Sequence, residues 1–227
     1  DSAVLNIPNL LIQPGEKVAI LGAIGSGKST LLKMLSGLYK PTSGKVLLDD
    51  IDMQQLSKDN ISNAIGYLEQ DTKLFSGTLR DNLSVGLIDV SDEEILKACK
   101  LTELIKLISI LPKGLDTSVP EGGQRVSGGQ RQLIALTRML IGKSKVLLLD
   151  EPTASLDEGT EKHILSILQK NTTKEQTLIV VTHKPALLNL VDRIIILTEK
   201  GIGADDKKET VIKMLKNNQT TKAEAQS

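Results

Sequence analysis

Gly22, Gly27, Lys28 and Ser29 fall in the spacing G-x-x-x-x-G-K-[ST]. Glycines at those places let a backbone wrap phosphate oxygens closely. The lysine can reach the β and γ phosphates of a nucleotide, and the hydroxyl after it can ligate Mg²⁺. The candidate cradle is Gly22, Ala23, Ile24, Gly25, Ser26, Gly27, Lys28, Ser29 and Thr30. About 0.02 such matches are expected by chance at this composition. The context also fits, because the apolar run KVAIL (17–21) reads as a buried strand and STLLKMLSGL (29–38) has helical spacing.

Phosphoryl transfer asks for positioned charge more than for a strong base. KVLLLDEPT (145–153) puts Asp150 and Glu151 at the exit of an apolar run. In a parallel sheet, strand exits are where ligands bind. Asp150 could hold the water shell of Mg²⁺, and Glu151 could position and polarise an attacking water. Alone, the pair would read as solvated strand-end carboxylates. His183 follows TLIVVT and so leaves the sheet on the same edge, within reach of a γ-phosphate or a water. Gln70, after AIGYLE, is a further strand-exit residue that could ligate or sense Mg²⁺. His163 lies in mid-helix and reads as bland.

RVSGGQRQ (125–132) places Ser127, Gly128, Gly129 and Gln130 before the apolar run LIALTRML. That is a second loop opening a helix, with backbone N–H groups presented to an anion and Ser127 as the N-cap. One nucleotide has one γ-phosphate, and the first cradle already covers it. The simplest resolution is that the second cradle serves another molecule's nucleotide. Two chains would then sandwich two ATP head to tail across a two-fold interface.

These residues need a sheet to hold them. Strand-sized runs at 17–21, 45–50, 64–69, 145–150, 177–182 and 193–198 alternate with helical patterns such as 158–170. That alternation predicts an α/β fold, a mostly parallel sheet with helices on its faces. Little between 77 and 142 looks like strand, so an inserted helical lobe is expected there. In it, 91–111 reads as one amphipathic helix opened by a Ser91–Glu94 capping box. The polar tail 216–227 is expected to be disordered.

The 227 residues are 40% hydrophobic and 25% charged, enough for one ordinary domain with a real core. Net charge is zero and aromatics are 1%, so neither a field for nucleic acid nor a stacking groove is on offer. Cys99 stands alone, which excludes an internal disulfide and suits a reducing setting. It reads as a small apolar helix residue. No apolar run has the length of a membrane span. The start DSAVLNIPNLL lacks a signal-peptide pattern and suggests a piece of a longer chain.

In combination, these elements resemble the nucleotide-binding domain of ATP-binding cassette (ABC) transporters over residues 3 to 215. GAIGSGKS is similar to Walker A and VLLLDEP to Walker B, with Glu151 as its catalytic glutamate. RVSGGQ resembles the ABC signature, with Val126 where leucine is usual. Gln70 matches the Q-loop, Ser155-Leu156-Asp157 the D-loop and His183 the switch histidine.

The resemblance implies a P-loop NTPase, RecA-like core with an inserted helical signature subdomain at about 77–142 and a small β region. It implies ATP and Mg²⁺ as ligands, with Ser29, Gln70 and Asp150 serving the metal. Glu151 and His183 would support hydrolysis. Ser127, Gly128, Gly129, Gln130 and Asp157 would face the partner's site in a homodimer.

LFSGTLRDNL (74–83) and PKGLDTSVPEGGQRVSGGQ (112–130) look similar to exporters that carry membrane and ATPase domains on one chain. Glu121 matches a position that contacts the membrane part. The phrasing is similar to transporters for type I secretion. The expected location is the cytoplasmic face of the inner membrane. The family's adenine-stacking aromatic has no counterpart before Tyr39, and Thr137 replaces a usual small residue. Two other readings compete. An importer subunit is opposed by LFSGTLRDNL. A chromosome or ribosome ATPase is opposed by the short spacing to SGGQ and the absence of a basic patch.

Overall fold

The computed structural model describes residues 5–224 apart from Ile88, Arg125 and Ser155, with side chains described to residue 217. Arg125 of the RVSGGQ stretch and Ser155 of the D-loop match therefore lie outside the described residues. In chain order the elements begin with β1 (Lys17–Gly22), α1 (Lys28–Leu35), β2 (Leu47–Leu48), β3 (Ile51–Asp52), α2 (Lys58–Ala64) and β4 (Ile65–Leu68). A mainly helical stretch follows, with β5 (Gly77–Thr78), α3 (Leu79–Ser84), α4 (Asp92–Leu101), α5 (Leu104–Ile110), β6 (Ser118–Val119) and α6 (Gly128–Gly142). The chain then returns through β7 (Val146–Asp150), α7 (Glu158–Asn171), β8 (Thr177–Val181), β9 (Arg193–Thr198), β10 (Gly201–Lys207) and α8 (Lys208–Glu224).

Six strands form one sheet in the order β10-β9-β1-β8-β7-β4. All neighbouring pairs are parallel except β9 with β10. The expected mostly parallel α/β sheet is what forms. Its central strands β1, β7 and β8 are buried on both faces, as parallel strands covered by helices must be. The alternation can be read residue by residue: Leu147, Leu149, Leu178 and Val180 enter one core with α6 and α7. Leu148, Ile179 and Val181 enter the other, with Leu31 and Leu32 of α1. A one-residue slip in register would exchange the two sets, so the pairing is strongly specified.

The stretch from Leu74 to Ile141 gathers a core of its own, including Leu83, Ile95, Cys99, Leu104 and Ile134. Helix α6 is the shared wall: Ile134 and Ile141 face this lobe, while Leu136 and Met139 face the sheet. Cys99 is buried here, as a small apolar residue would be, and burial pushes its thiol up to about 11.

Two expectations are corrected. The run 91–111 is not one helix: α4 ends at Leu101 and α5 starts at Leu104, with Glu103 in the left-handed region at φ 59°. The Ser91–Glu94 capping box is present. Within 77–142 strand is as scarce as expected: β5 and β6 form one two-residue antiparallel ladder that pairs Gly77 with Val119. Finally, residues 216–224 are helical rather than disordered, as a continuation of α8. Val211 is fully buried at the start of that helix, and the Lys, Gln, Ala and Glu that follow favour helix once it is anchored.

Candidate functional site

Four strand exits converge because β4, β7, β8 and β1 are parallel. Leu68 pairs with Leu149, Asp150 with Val181, and Val181 with Ile20, so Gln70, Asp150, Glu151, His183 and the loop after Gly22 leave one edge.

The loop from Gly22 to Gly27 is a turn that only glycine can make. Gly25 and Gly27 have φ of 84° and 91°. At Gly22, an added Cβ would lie 2.3 Å from the Leu197 carbonyl oxygen and 2.6 Å from Ser26 Oγ. Gly22→Ala should therefore displace the loop, cost about 1–3 kcal/mol and weaken nucleotide binding. Fluorescence titration with a labelled ATP analogue and a thermal melt would check both effects.

Helix α1 begins at Gly27 without a side-chain cap, whereas α3, α4, α6 and α7 begin at Thr78, Ser91, Ser127 and Asp157 caps. Its first N–H groups are thus left for an anion. Lys28 folds back over the loop, donating to the Gly22 and Ala23 carbonyls at 2.8 and 2.9 Å. Burial holds its ammonium below the ordinary lysine value, while Glu151 and Asp150 pull it upward. A phosphate arriving at the loop would offer Lys28 a better acceptor than two carbonyls. Ser29 is exposed on the first turn of α1, Thr30 is half-buried behind it, and Ile24 is 95% exposed at the loop tip.

Asp150 is 4% exposed, and its Oδ1 has no hydrogen-bond partner. A buried carboxylate oxygen left unpaired is costly unless a ligand completes it. This atom fits a cation or its water shell. Glu151 has φ 46° and a side chain 11% exposed. Strain of this kind persists where surrounding structure over-determines it. The Glu151 amide donates to the Val181 carbonyl at 2.9 Å, which fixes it against β8. Its carboxylate lies 3.4 Å from His183 Nε2 and accepts from the His183 amide at 3.4 Å. The structure thus brings Glu151 and His183 together.

Lys184, which the sequence reading passed over, steadies this corner. It donates to the Thr153 carbonyl at 2.7 Å and pairs with Glu161 of α7. Gln70 is exposed just past β4. Two residues on, Thr72 donates to Gln132 of α6 at 3.2 Å, which ties that loop to the helix carrying the second cradle.

Ser127, Gly128, Gly129, Gln130 and Asp157 are brought together, but in a separate groove of about 490 Å³ between the starts of α6 and α7. Ser127 is the N-cap, and here the expectation was incomplete: Ser127 Oγ accepts from the Gln130 amide at 3.2 Å, and Gln130 Oε1 accepts from the Ser127 amide at 3.0 Å. This capping box leaves the Gly128 and Gly129 amides at the open helix end. Asp157 caps α7, and the Thr160 hydroxyl and amide hold its carboxyl below the usual range. Two residues read as unremarkable make specific bonds nearby. Thr137 Oγ1 donates to the Leu133 carbonyl at 2.7 Å and meets Thr102 Oγ1 at 2.8 Å, while His163 Nε2 donates to the Thr102 carbonyl at 2.9 Å.

In the helical lobe, the LFSGTLRDNL stretch is a compact knot. Buried Asn82 accepts from the Phe75 amide at 2.8 Å and donates to the Phe75 and Thr78 carbonyls. This presents the Phe75 ring 54% exposed, with Arg138 5.8 Å from its centroid. The Gly122 amide donates to the Leu74 carbonyl at 3.1 Å, which sets Glu121 beside the same patch.

Comparison with known proteins agrees with the geometry. The profile described as ABC transporter matches residues 5–154. An uncharacterized ABC transporter ATP-binding protein of Bacillus subtilis is 38% identical over 92% of this chain and 36% of its own length. The mitochondrial iron-sulfur clusters transporter ATM1 of Saccharomyces cerevisiae is 35% identical over 91% of this chain and 30% of its own. The ATP-dependent lipid A-core flippase of Chromobacterium violaceum is 34% identical over 93% and 36%. Among solved structures, a bacterial Atm1-family ABC exporter with ATP bound superposes with TM-score 0.81 at 32% identity, covering 88% of this chain and 35% of that one. The chain spans about a third of the length of these relatives. Among the described residues, no helix is long and apolar enough to cross a membrane. The chain belongs to the ABC transporter family, and it is the ATP-binding domain of that family.

Proposed function

We propose that this chain is the ATP-hydrolysing motor of a membrane exporter, and that two copies close around two ATP. The unit extends through about residue 215 and includes the helical lobe of about 77–142. The observation that carries the reading is the separation of two anion-ready helix ends in one chain. The uncapped start of α1 belongs to the Lys28 cradle, and the Gly128–Gly129 end of α6 opens into a different groove. A second chain turned about a two-fold axis would bring each groove onto the other's nucleotide.

In that site the Gly22–Thr30 loop and Lys28 bind the phosphates. Ser29, Asp150 and Gln70 would hold Mg²⁺. When bound, that ion supplies charge to the phosphate oxygens. Glu151 orients a water for in-line attack and accepts its proton at the carboxylate. His183, against Glu151, fixes that carboxylate and faces the γ-phosphate. Ser127, Gly128, Gly129, Gln130 and Asp157 complete the partner's centre. Closure follows ATP binding, and hydrolysis removes the bridging charge and releases it.

The Phe75 and Glu121 patch supports docking of a membrane domain carried on the same full-length chain, at the cytoplasmic face of the membrane. The stretches 74–83 and 112–130 support the exporter class, and a secreted protein or peptide as cargo is proposed from the general likeness to type I secretion transporters. Two of the relatives above are named instead for iron–sulfur clusters and a lipid A core.

The test is phosphate release by the purified chain with ATP and Mg²⁺, against Lys28→Ala and against EDTA. Release that both remove is expected. Release unaffected by Lys28→Ala would overturn the assignment, and tight nucleotide binding with no release would leave a binding module.

A further inference from the structure

The two loops proposed to face the partner open two different helices. Ser127 to Gln130 open α6, whose outer side walls the helical lobe, whereas Asp157 opens α7, which packs on the sheet. Their relative placement decides whether both can reach one nucleotide. At the mouth of the groove the helices touch through Gly129, where an added Cβ would lie 3.3 Å from Thr160 Cγ2. Farther along, the helices share the sheet-side core, with Ala135, Leu136 and Met139 of α6 clustered with Ile164, Ile167 and Leu168 of α7, but non-directional apolar packing does not fix the placement of the open ends.

A polar chain behind that contact does. His163, one of the residues lining the groove, reaches across from α7 to the Thr102 carbonyl at 2.9 Å. A carbonyl only accepts, so the proton is on His163 Nε2. Thr102 is the fully buried C-cap of α4, and its hydroxyl meets that of Thr137, also fully buried, at 2.8 Å. Thr137 is part of α6 and passes its own proton to the Leu133 carbonyl at 2.7 Å. With the Thr137 proton on Leu133, the Thr137 oxygen is left to accept from Thr102, whose hydroxyl also lies 3.2 Å from the Ala98 carbonyl within α4. The route from the Asp157 loop to the Ser127 loop is therefore continuous, through α7, His163, Thr102, Thr137 and α6. Satisfied buried networks of this kind hold one arrangement, because each member left unpaired would be penalised.

We propose that His163, Thr102 and Thr137 are positioning residues that hold the Asp157 and Ser127 loops at the spacing required to engage a partner's nucleotide. They touch no phosphate and act through the two loops. The proposal also accounts for the break between α4 and α5. Glu103 takes a left-handed conformation directly after Thr102, which ends α4 where the Thr102 carbonyl is free for His163.

The proposal rests on the ATP-sandwich reading, so the experiment separates the two. In a Glu151→Gln background, which retains ATP, dimerisation is measured by sedimentation with ATP for the parent, His163→Leu and His163→Gln. Binding of labelled ATP to dilute monomer and the melting temperature are recorded for each. We expect His163→Leu to weaken dimerisation about tenfold, the scale of one hydrogen bond. Monomer ATP affinity should stay unchanged. His163→Gln, whose Nε2 can donate in the same direction, should recover most of the loss.

Equal dimerisation by the parent and His163→Leu would overturn the clamp while leaving the sandwich standing. Equal losses in both variants, tracking a fall in melting temperature, would overturn it too, because the residue would then serve stability alone. A parent that fails to dimerise with ATP would instead sink the sandwich reading on which the clamp depends.

Discussion

Glu151→Gln is expected to lower ATP turnover by about 10²–10⁴-fold, the usual contribution of a positioned general base. ATP affinity should remain near that of the parent. The expectation follows from how the residue is held. Its backbone is in the left-handed region, its amide is tied to Val181, and its carboxylate meets both the ring and the amide of His183. Glutamine keeps the shape and one acceptor oxygen, so the fold and the Lys28 cradle should survive. It cannot take a proton from water. Nucleotide then stays in place, and the variant should accumulate as an ATP-bound dimer. Stopped-flow phosphate release together with size-exclusion chromatography would check both halves. Turnover near the parent's rate would remove Glu151 from the mechanism.

The second large effect belongs to the other groove. Gly129→Asp places a carboxylate at the open end of α6, where a phosphate is proposed to sit, and crowds Thr160 and Leu156. Turnover should fall by at least 10²-fold, about the loss seen when a preorganised donor to developing charge is removed. ATP binding by dilute monomer should be unchanged, because Lys28 lies on a different surface. The informative step is mixing. A Lys28→Ala chain lacks the first cradle but keeps the second, and Gly129→Asp has the reverse defect. One of the two centres in a mixed pair would be whole, so the mixture should exceed the summed activities of its parts. No gain on mixing, with mixed pairs demonstrably formed, would place both cradles in service of the same chain's nucleotide.

Much of this site could be read from residue types and order, because a parallel sheet converts order into position. Apolar runs ending at Gly22, Gln70, Asp150 and His183 had to leave one edge once the strands were parallel. The capping box at Ser91 and the cap at Ser127 were equally local. What escaped the sequence was non-local. The β5–β6 pairing joins two-residue segments too short to show any period. The break after Leu101 has no glycine or proline to announce it, since LTELIK continues the helical spacing. Thr102 closes α4 with its amide on the Ala98 and Lys100 carbonyls, while its hydroxyl and carbonyl meet partners far along the chain, on α6 and α7. His163 and Thr137 looked ordinary for a related reason: the bonds that join them to Thr102 exist only after three helices have packed, whereas the Thr137 bond to Leu133 lies within α6. The last turns of α8, within 216–227, were read as a polar tail because the helix's anchor, Val211, lies near its start.

The central claim is that each catalytic centre is built from two chains. Steady-state turnover per chain, measured at saturating ATP over a wide range of protein concentration, tests it most directly. The account predicts a specific rate that climbs with concentration as pairs form and levels off once they dominate. A rate independent of concentration, in protein shown by sedimentation to remain monomeric throughout, would contradict it.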